Sequence, residues 1–287
     1  MTILVFDSGI GGLSVLREAR MIMHDHRFVY VGDDAGFPYG DWDGAALSAR
    51  MIGLFETLIE QYNPCLAIVA CNTASTLIMP SLRSRFDIPF VGIVPAIKPA
   101  AERTASGLIT VLATPGTVQR PYTLELIRQF ASHRQVNLVG ATQLARLSEQ
   151  HMQGRAIDMG VLQAEIAPCF VESDGRRTDI ITLGCTHYPF LVNEMRKLAP
   201  WPVDWLDPAE AVARHACHVL SELPQTALGQ AVAQSQAQSD IAIMTSNSPP
   251  ASIVRLLGSF GLQRHSQQFS SLESTHSTHS THSTWSA

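Results

Sequence analysis

The stretch "DIITLGCTHYPF" (179–190) carries an apolar run that ends at Gly184 and passes at once to a cysteine, a threonine and a histidine. A short run rich in Ile and Leu, with no strict alternation of polar residues, is how a strand buried on both faces of a parallel sheet reads. "LAIVACNTAS" (66–75) has the same plan, with Cys71, Asn72 and Thr73 placed before a helical pattern. Further runs of this kind are "TILVF" (2–6), "FVYVG" (28–32), "PFVGIV" (89–94), "LITVLA" (108–113), "VNLVG" (136–140), "VDWL" (203–206) and "IAIMT" (241–245). Amphipathic stretches such as "GGLSVLREARM", "ALSARMIGLFETLIEQY" and "TLELIRQFASH" lie between them. The alternation predicts an α/β fold with mainly parallel sheets and right-handed crossovers.

Composition narrows the function classes. A chain of 287 residues, 46% apolar and 16% charged, suits one or two globular domains. A net charge of −5 argues against nucleic acid as a partner. No apolar run approaches the roughly 18 residues of a membrane span. "MTILVFDSG" has no basic region before its apolar run, so it does not read as a secretory signal. The five cysteines are odd in number and form no CxxC, which weighs against a disulfide framework or a zinc site. A reducing, cytoplasmic home is expected. The segment 263–287 repeats Ser-Thr-His and is too poor in apolar residues to build a core. It is expected to be a disordered tail, and its histidines His276, His279 and His282 to be solvated rather than metal-bound.

Ligands of open α/β sheets sit beyond the carboxyl ends of strands. The residues following the runs are therefore the candidates: Asp7-Ser8-Gly9-Ile10-Gly11-Gly12, Asp33 to Gly40, Cys71 to Ser75, Thr114 to Thr117, and Cys185-Thr186-His187. Cys71 and Cys185 occupy matching places, where a helix N-terminus is expected to lower a thiol's pKa from about 8.5. Cys65, Cys169 and Cys217 lack polar company and read as buried hydrophobes. Disulfide exchange would want two adjacent thiols, and a metal would want more ligands. Racemisation wants one proton-transfer group on each face of a carbon, and two groups of one chemical type suit both directions. His187 is placed to assist Cys185, and Asp7 to assist Cys71. Ser8, Asn72, Thr73, Thr117 and Thr186 lie where helix N-termini can hold a carboxylate without arginine. "GIGGLS" is a near miss to a dinucleotide fingerprint and weak alone. The only lysines, Lys98 and Lys197, are poor Schiff-base candidates, which disfavours pyridoxal phosphate.

"FDSGIGGLSVL", "FPYG", "CNTAS", "VGIVPAIKPA", "LATPGTV" and "GCTHYPFL", in this order, resemble the glutamate racemases of the cofactor-independent aspartate/glutamate racemase superfamily. The resemblance runs from about residue 3 to about residue 262. It implies two Rossmann-like domains with the active site in the cleft between them. One domain would be residues 1–97 plus 207–262, the other 98–206. It implies Cys71 as the proton donor/acceptor on the D-glutamate side and Cys185 on the L-glutamate side. Substrate contacts would fall on Asp7, Ser8, Tyr39, Gly40, Asn72, Thr73, Thr186 and His187. No cofactor and no metal are implied; a homodimer is allowed. D-glutamate would feed peptidoglycan synthesis. The alternatives are another racemase or a decarboxylase of the superfamily, or a racemase-like binding protein.

The chain departs from the family pattern in places. "DDAG" (33–36) stands where the family has Asp-Thr-Ala-Arg, Arg120 stands for a serine, and Glu149 aligns loosely with a glutamate that assists the second cysteine. Some members of the family it resembles answer to a cell-wall precursor through an extension before the first strand. This chain starts almost at that strand, so such regulation is not expected.

Overall fold

A computed structural model of the chain describes residues 1–223, 239–267 and 269. The strands are β1 (Thr2–Asp7), β2 (Arg27–Gly32), β3 (Leu66–Val69), β4 (Phe90–Gly92), β5 (Leu108–Ala113), β6 (Gln135–Gly140), β7 (Glu172–Ser173), β8 (Arg176–Arg177), β9 (Ile180–Gly184), β10 (Asp204–Leu206), β11 (Ile241–Met244) and β12 (Gln263–Arg264). Helices fill the intervals: α1 (Leu13–Ile22), α2 (Gly44–Tyr62), α3 (Asn72–Arg85), α4 (Ile97–Arg103), α5 (Pro115–Val118), α6 (Pro121–Phe130), α7 (Leu144–Met152), α8 (Met159–Ile166), α9 (Val192–Leu198), α10 (Ala209–Ser221) and α11 (Ala251–Ser259). Two parallel sheets result, in the orders β12-β11-β2-β1-β3-β4 and β10-β9-β5-β6. No described helix is long and apolar enough to cross a membrane.

The continuous apolar runs have the cause expected of them. Ile3 and Val5 point into one core with α1 and α10, while Leu4 and Phe6 point into another with α2 and α3. Leu112 and Ile109 divide in the same way between the two faces of the second sheet. The chain crosses between the sheets twice. After β4 it enters α4, whose Ile97, Ala100 and Ala101 pack on the second sheet. After β10 it enters α10, whose Val212, Ala213 and Ala216 return to the first.

All nine apolar runs are strands, with ends shifted by no more than a residue or two. Three elements went unread. β7 and β8 are two residues each, joined through Asp174 at φ 53° and Gly175 at φ 73°, a reversal that left-handed residues permit. β12 lies inside the segment expected to be disordered. It pairs with β11, and beyond it the His265 N–H donates to the Ala242 carbonyl at 2.8 Å. Gln267 is buried, its side-chain oxygen accepting from the Tyr62 hydroxyl at 3.1 Å. Order therefore runs past Leu262, because an edge strand needs backbone pairing more than apolar side chains. The Ser-Thr-His repeats and their three histidines lie outside the described residues.

Candidate active site

Each sheet reverses its winding once, and a crevice opens where that happens. In the first sheet the chain goes from β1 to β2 on one side, then to β3 on the other. In the second it goes from β5 to β6, then to β9 on the opposite side. The crevice between β1 and β3 holds Ser8 and Cys71, and that between β5 and β9 holds Thr114 and Cys185. The two crevices face one another. Ser8, Tyr39, Gly40, Cys71, Asn72, Thr73, Thr114, Cys185, Thr186 and His187 line one cavity of about 20 Å³, with Phe37, Pro38 and Ala145 completing the wall.

The two cysteines have unlike neighbours. His187 Nδ1 lies 3.8 Å from the Cys185 sulfur, and its Nε2 lies 3.1 Å from Glu149 Oε1. That carboxylate also accepts from the Ile10 N–H at 3.0 Å, so α7 of the second sheet is tied to the loop after β1. Ser148 holds the same turn by donating to the His187 carbonyl at 2.7 Å. The Cys71 thiol instead has the Ser8 hydroxyl at 3.7 Å. Cys71 is the N-cap residue of α3, so free N–H groups of that helix face the cavity. No long helix follows Cys185 directly; a short turn over Tyr188–Leu191 precedes α9.

The threonines sort differently from expectation. Thr73, Thr114 and Thr117 form a hydroxyl cluster with spacings of 3.0, 3.0 and 3.4 Å. Thr117 is fully buried behind the other two, and Thr114 takes the place on the cavity wall. Asp7 also stands behind the wall. It accepts from Gly9 N at 2.9 Å and from the Thr186 hydroxyl at 3.0 Å, a contact that crosses between the sheets. Thr114 was legible as the last residue before a helix-starting Pro, where a capping threonine belongs. Asn72 is 2% exposed, and neither its amide nitrogen nor its oxygen has a hydrogen-bond partner. Buried polar atoms are rarely left so, and a cavity-lining pair of one donor and one acceptor group points to a polar ligand.

Electrostatics set the protonation states. Burial, helped by the nearby Asp7 charge, pushes the Cys71 thiol well up from its ordinary range. The expected lowering by the helix end does not prevail, because full burial outweighs the pull of the amide groups. Burial lowers His187, but Cys185, Glu149 and Asp7 together outweigh it and hold the imidazole well above its usual value. Burial raises Asp7, against the opposing pull of His187.

The glycines of "GIGG" serve close approach, not a phosphate. A Cβ on Gly11 would fall 2.4 Å from His187 Nδ1, and one on Gly9 2.4 Å from Glu149 Oε1.

The chain is similar to known proteins over most of its length. Residues 14–216 match the Asp/Glu/Hydantoin racemase family. A glutamate racemase of Brucella canis is 58% identical over 262 residues, covering 91% of this chain and 92% of that one. Escherichia coli glutamate racemase, solved in complex with L-glutamate and the activator UDP-MurNAc-ala, superposes with a TM-score of 0.84 at 36% identity, covering 93% and 97% of the two chains. Glutamate racemase from Aquifex pyrophilus gives 0.66 at 26% identity, covering 90% and 95%.

Proposed function

The chain belongs to the Asp/Glu/Hydantoin racemase family and interconverts the enantiomers of glutamate, and we propose that it does so with two thiols acting from opposite faces of the α-carbon. The observation that carries this reading is that Cys71 and Cys185 line one cavity, each from the switch point of a different sheet. Starting from L-glutamate, Cys185 as thiolate takes the α-proton. The electron pair left on carbon delocalises into the α-carboxylate. Cys71, which burial keeps protonated, gives its proton to the other face, and D-glutamate results. Cys185 is left as thiol and Cys71 as thiolate, so the reverse reaction finds its groups ready and solvent resets the forward one. His187 is held protonated between Cys185 and Glu149, so its Nδ1–H faces the Cys185 sulfur and stabilises the thiolate that takes the proton.

The carboxylate that receives the developing charge needs donors fixed before the reaction. The free N–H groups of α3, the Asn72 amide and the Thr73 and Thr114 hydroxyls supply them without any cation. A cavity of about 20 Å³ admits a water or two but no amino acid. Substrate therefore enters when the halves carried by the two sheets part, and closure expels water from the reacting centre. The two halves divide close to residues 97 and 207, where the chain crosses. The D-glutamate made is consumed in cytoplasmic steps of peptidoglycan synthesis.

The experiment runs L-glutamate in heavy water, sampled long before equilibrium. D-glutamate should carry deuterium at Cα while recovered L-glutamate stays almost unlabelled, because one fixed side chain cannot come within about 3 Å of both faces. Label entering both enantiomers at matching rates would mean a single base and would sink the two-thiol mechanism.

A further inference from the structure

Four consecutive residues of the cavity wall, Phe37 to Gly40, belong to the loop between β2 and α2. That loop hangs on a buried ion pair. Asp33, wholly buried at the end of β2, accepts from Arg50 Nε at 2.7 Å and from its Nη2 at 2.5 Å. The same carboxylate accepts from the Tyr39 hydroxyl at 2.6 Å and from Thr245 Oγ1 at 2.5 Å. Arg50 lies on α2, and its guanidinium also sits over the Trp42 ring, 5.6 Å from the centroid. Trp42 in turn donates through Nε1 to the Gly36 carbonyl at 2.8 Å. Gly36 makes the arrangement possible. A Cβ there would lie 2.7 Å from Asp33 Oδ2, 2.8 Å from Arg50 Nε and 3.1 Å from the Tyr39 ring. This accounts for the glycine in the departure at 33–36: with Arg50 arriving from α2, a side chain at position 36 would displace the pair.

Stability alone does not call for such a pair. Buried ion pairs usually do no better for stability than well-packed apolar residues, whereas a bidentate arginine fixes direction sharply. We propose that Arg50 is a positioning residue for the racemase reaction: through the Asp33 carboxylate it fixes the Tyr39 hydroxyl, and with it the loop that forms the substrate-facing wall. Arg50 is not on the cavity wall and acts only through its partners. The inference rests on the cavity being the substrate site.

The test is a double-mutant cycle on kcat/KM for both enantiomers, with folding followed by circular dichroism and melting temperature. Arg50→Met and Tyr39→Phe should each lower kcat/KM by about tenfold or more. The double variant should be no worse than the worse single, since both break one linkage. Arg50→Lys, which keeps the charge and loses the fork, should fall between wild type and Arg50→Met. Arg85→Met, at an exposed pair with Glu56, should leave kcat/KM unchanged. A folded Arg50→Met protein within twofold of wild type, or effects of the two single changes that multiply, would overturn the proposal. If Arg50→Met does not fold, the cycle of Arg50→Lys with Tyr39→Phe decides on the same criterion. Cys71→Ala goes through the same assay. Activity retained there would defeat the site assignment, whereas its loss beside an unaffected Arg50 variant would defeat this proposal alone.

Discussion

At the scale of the residue, His187 carries the sharpest consequence. Its partners hold the folded imidazole well above 6.5, while in the unfolded chain it titrates near its ordinary value. Between those two values the folded state binds a proton that the unfolded state has lost. The stability it contributes is fully present below about pH 6.5 and fades as pH rises through the folded pKa. Urea midpoints measured from pH 6 to 9 should fall with pH in the wild type and fall less steeply in His187→Gln. Equal slopes would show that the imidazole is not held protonated. That Cys71, Cys185, Thr186 and His187 gather at one cavity is legible in the sequence, because each lies within three residues of a strand's carboxyl end. Thr117 and Asp7, expected at the substrate, lie buried behind the residues that line the cavity. Sequence position shows which residues gather at a strand end, but only packing decides which of two neighbours faces the space and which supports it from behind.

Elements raise a different question, since loops and helices here differ in how closely something approaches them. The loop between β1 and α1 must pass under His187 and Thr186. Gly11→Ala would set a methyl 2.4 Å from the imidazole and 2.6 Å from the Thr186 hydroxyl. Displacement of a reacting group by about 1 Å can cost about a hundredfold. A loss of that order in kcat/KM is expected for Gly11→Ala, measured by polarimetry. Gly53, inside α2, has nothing within 4 Å of its Cβ position. Gly53→Ala should therefore keep full activity and add roughly 0.5–1 kcal/mol of stability, because helix interiors favour alanine. A weakened Gly53→Ala protein would show that α2 relies on an unseen contact there. The strands of the two sheets other than β12 were legible because they follow unbroken apolar runs, which burial within a parallel sheet demands. The hairpin of β7 and β8 was not, since two residues make no pattern.

Among the described residues of the whole molecule the two parallel sheets have six strands and four, and the larger is assembled from both ends of the chain. Deleting everything from Gln263 onward removes the β12 pairing, the His265 backbone bond and the Tyr62–Gln267 contact. At about 1 kcal/mol for each hydrogen bond, the loss should be on the order of 2–3 kcal/mol, or a fall of several degrees in Tm. Deleting only from Ser270 leaves those contacts in place and should cost little by the same measure. Equal Tm values for the two truncations would show that β12 contributes nothing. The pairing of β2 with β11, Val29 beside Ile241, has a consequence in time as well as in space. The second sheet draws all its strands from residues 108–206, so it can form while the ribosome is still at work. The first sheet must keep a side of β2 open until β11 is made, and pairings between such distant segments form slowly. Both cysteines will have been synthesised well before then. Thr245, which follows β11 and closes on Asp33, is among the last contacts to arrive. In a nascent chain, catalytic competence is therefore expected to lag behind the appearance of the thiols, and to be born only when the end of the chain returns to its beginning.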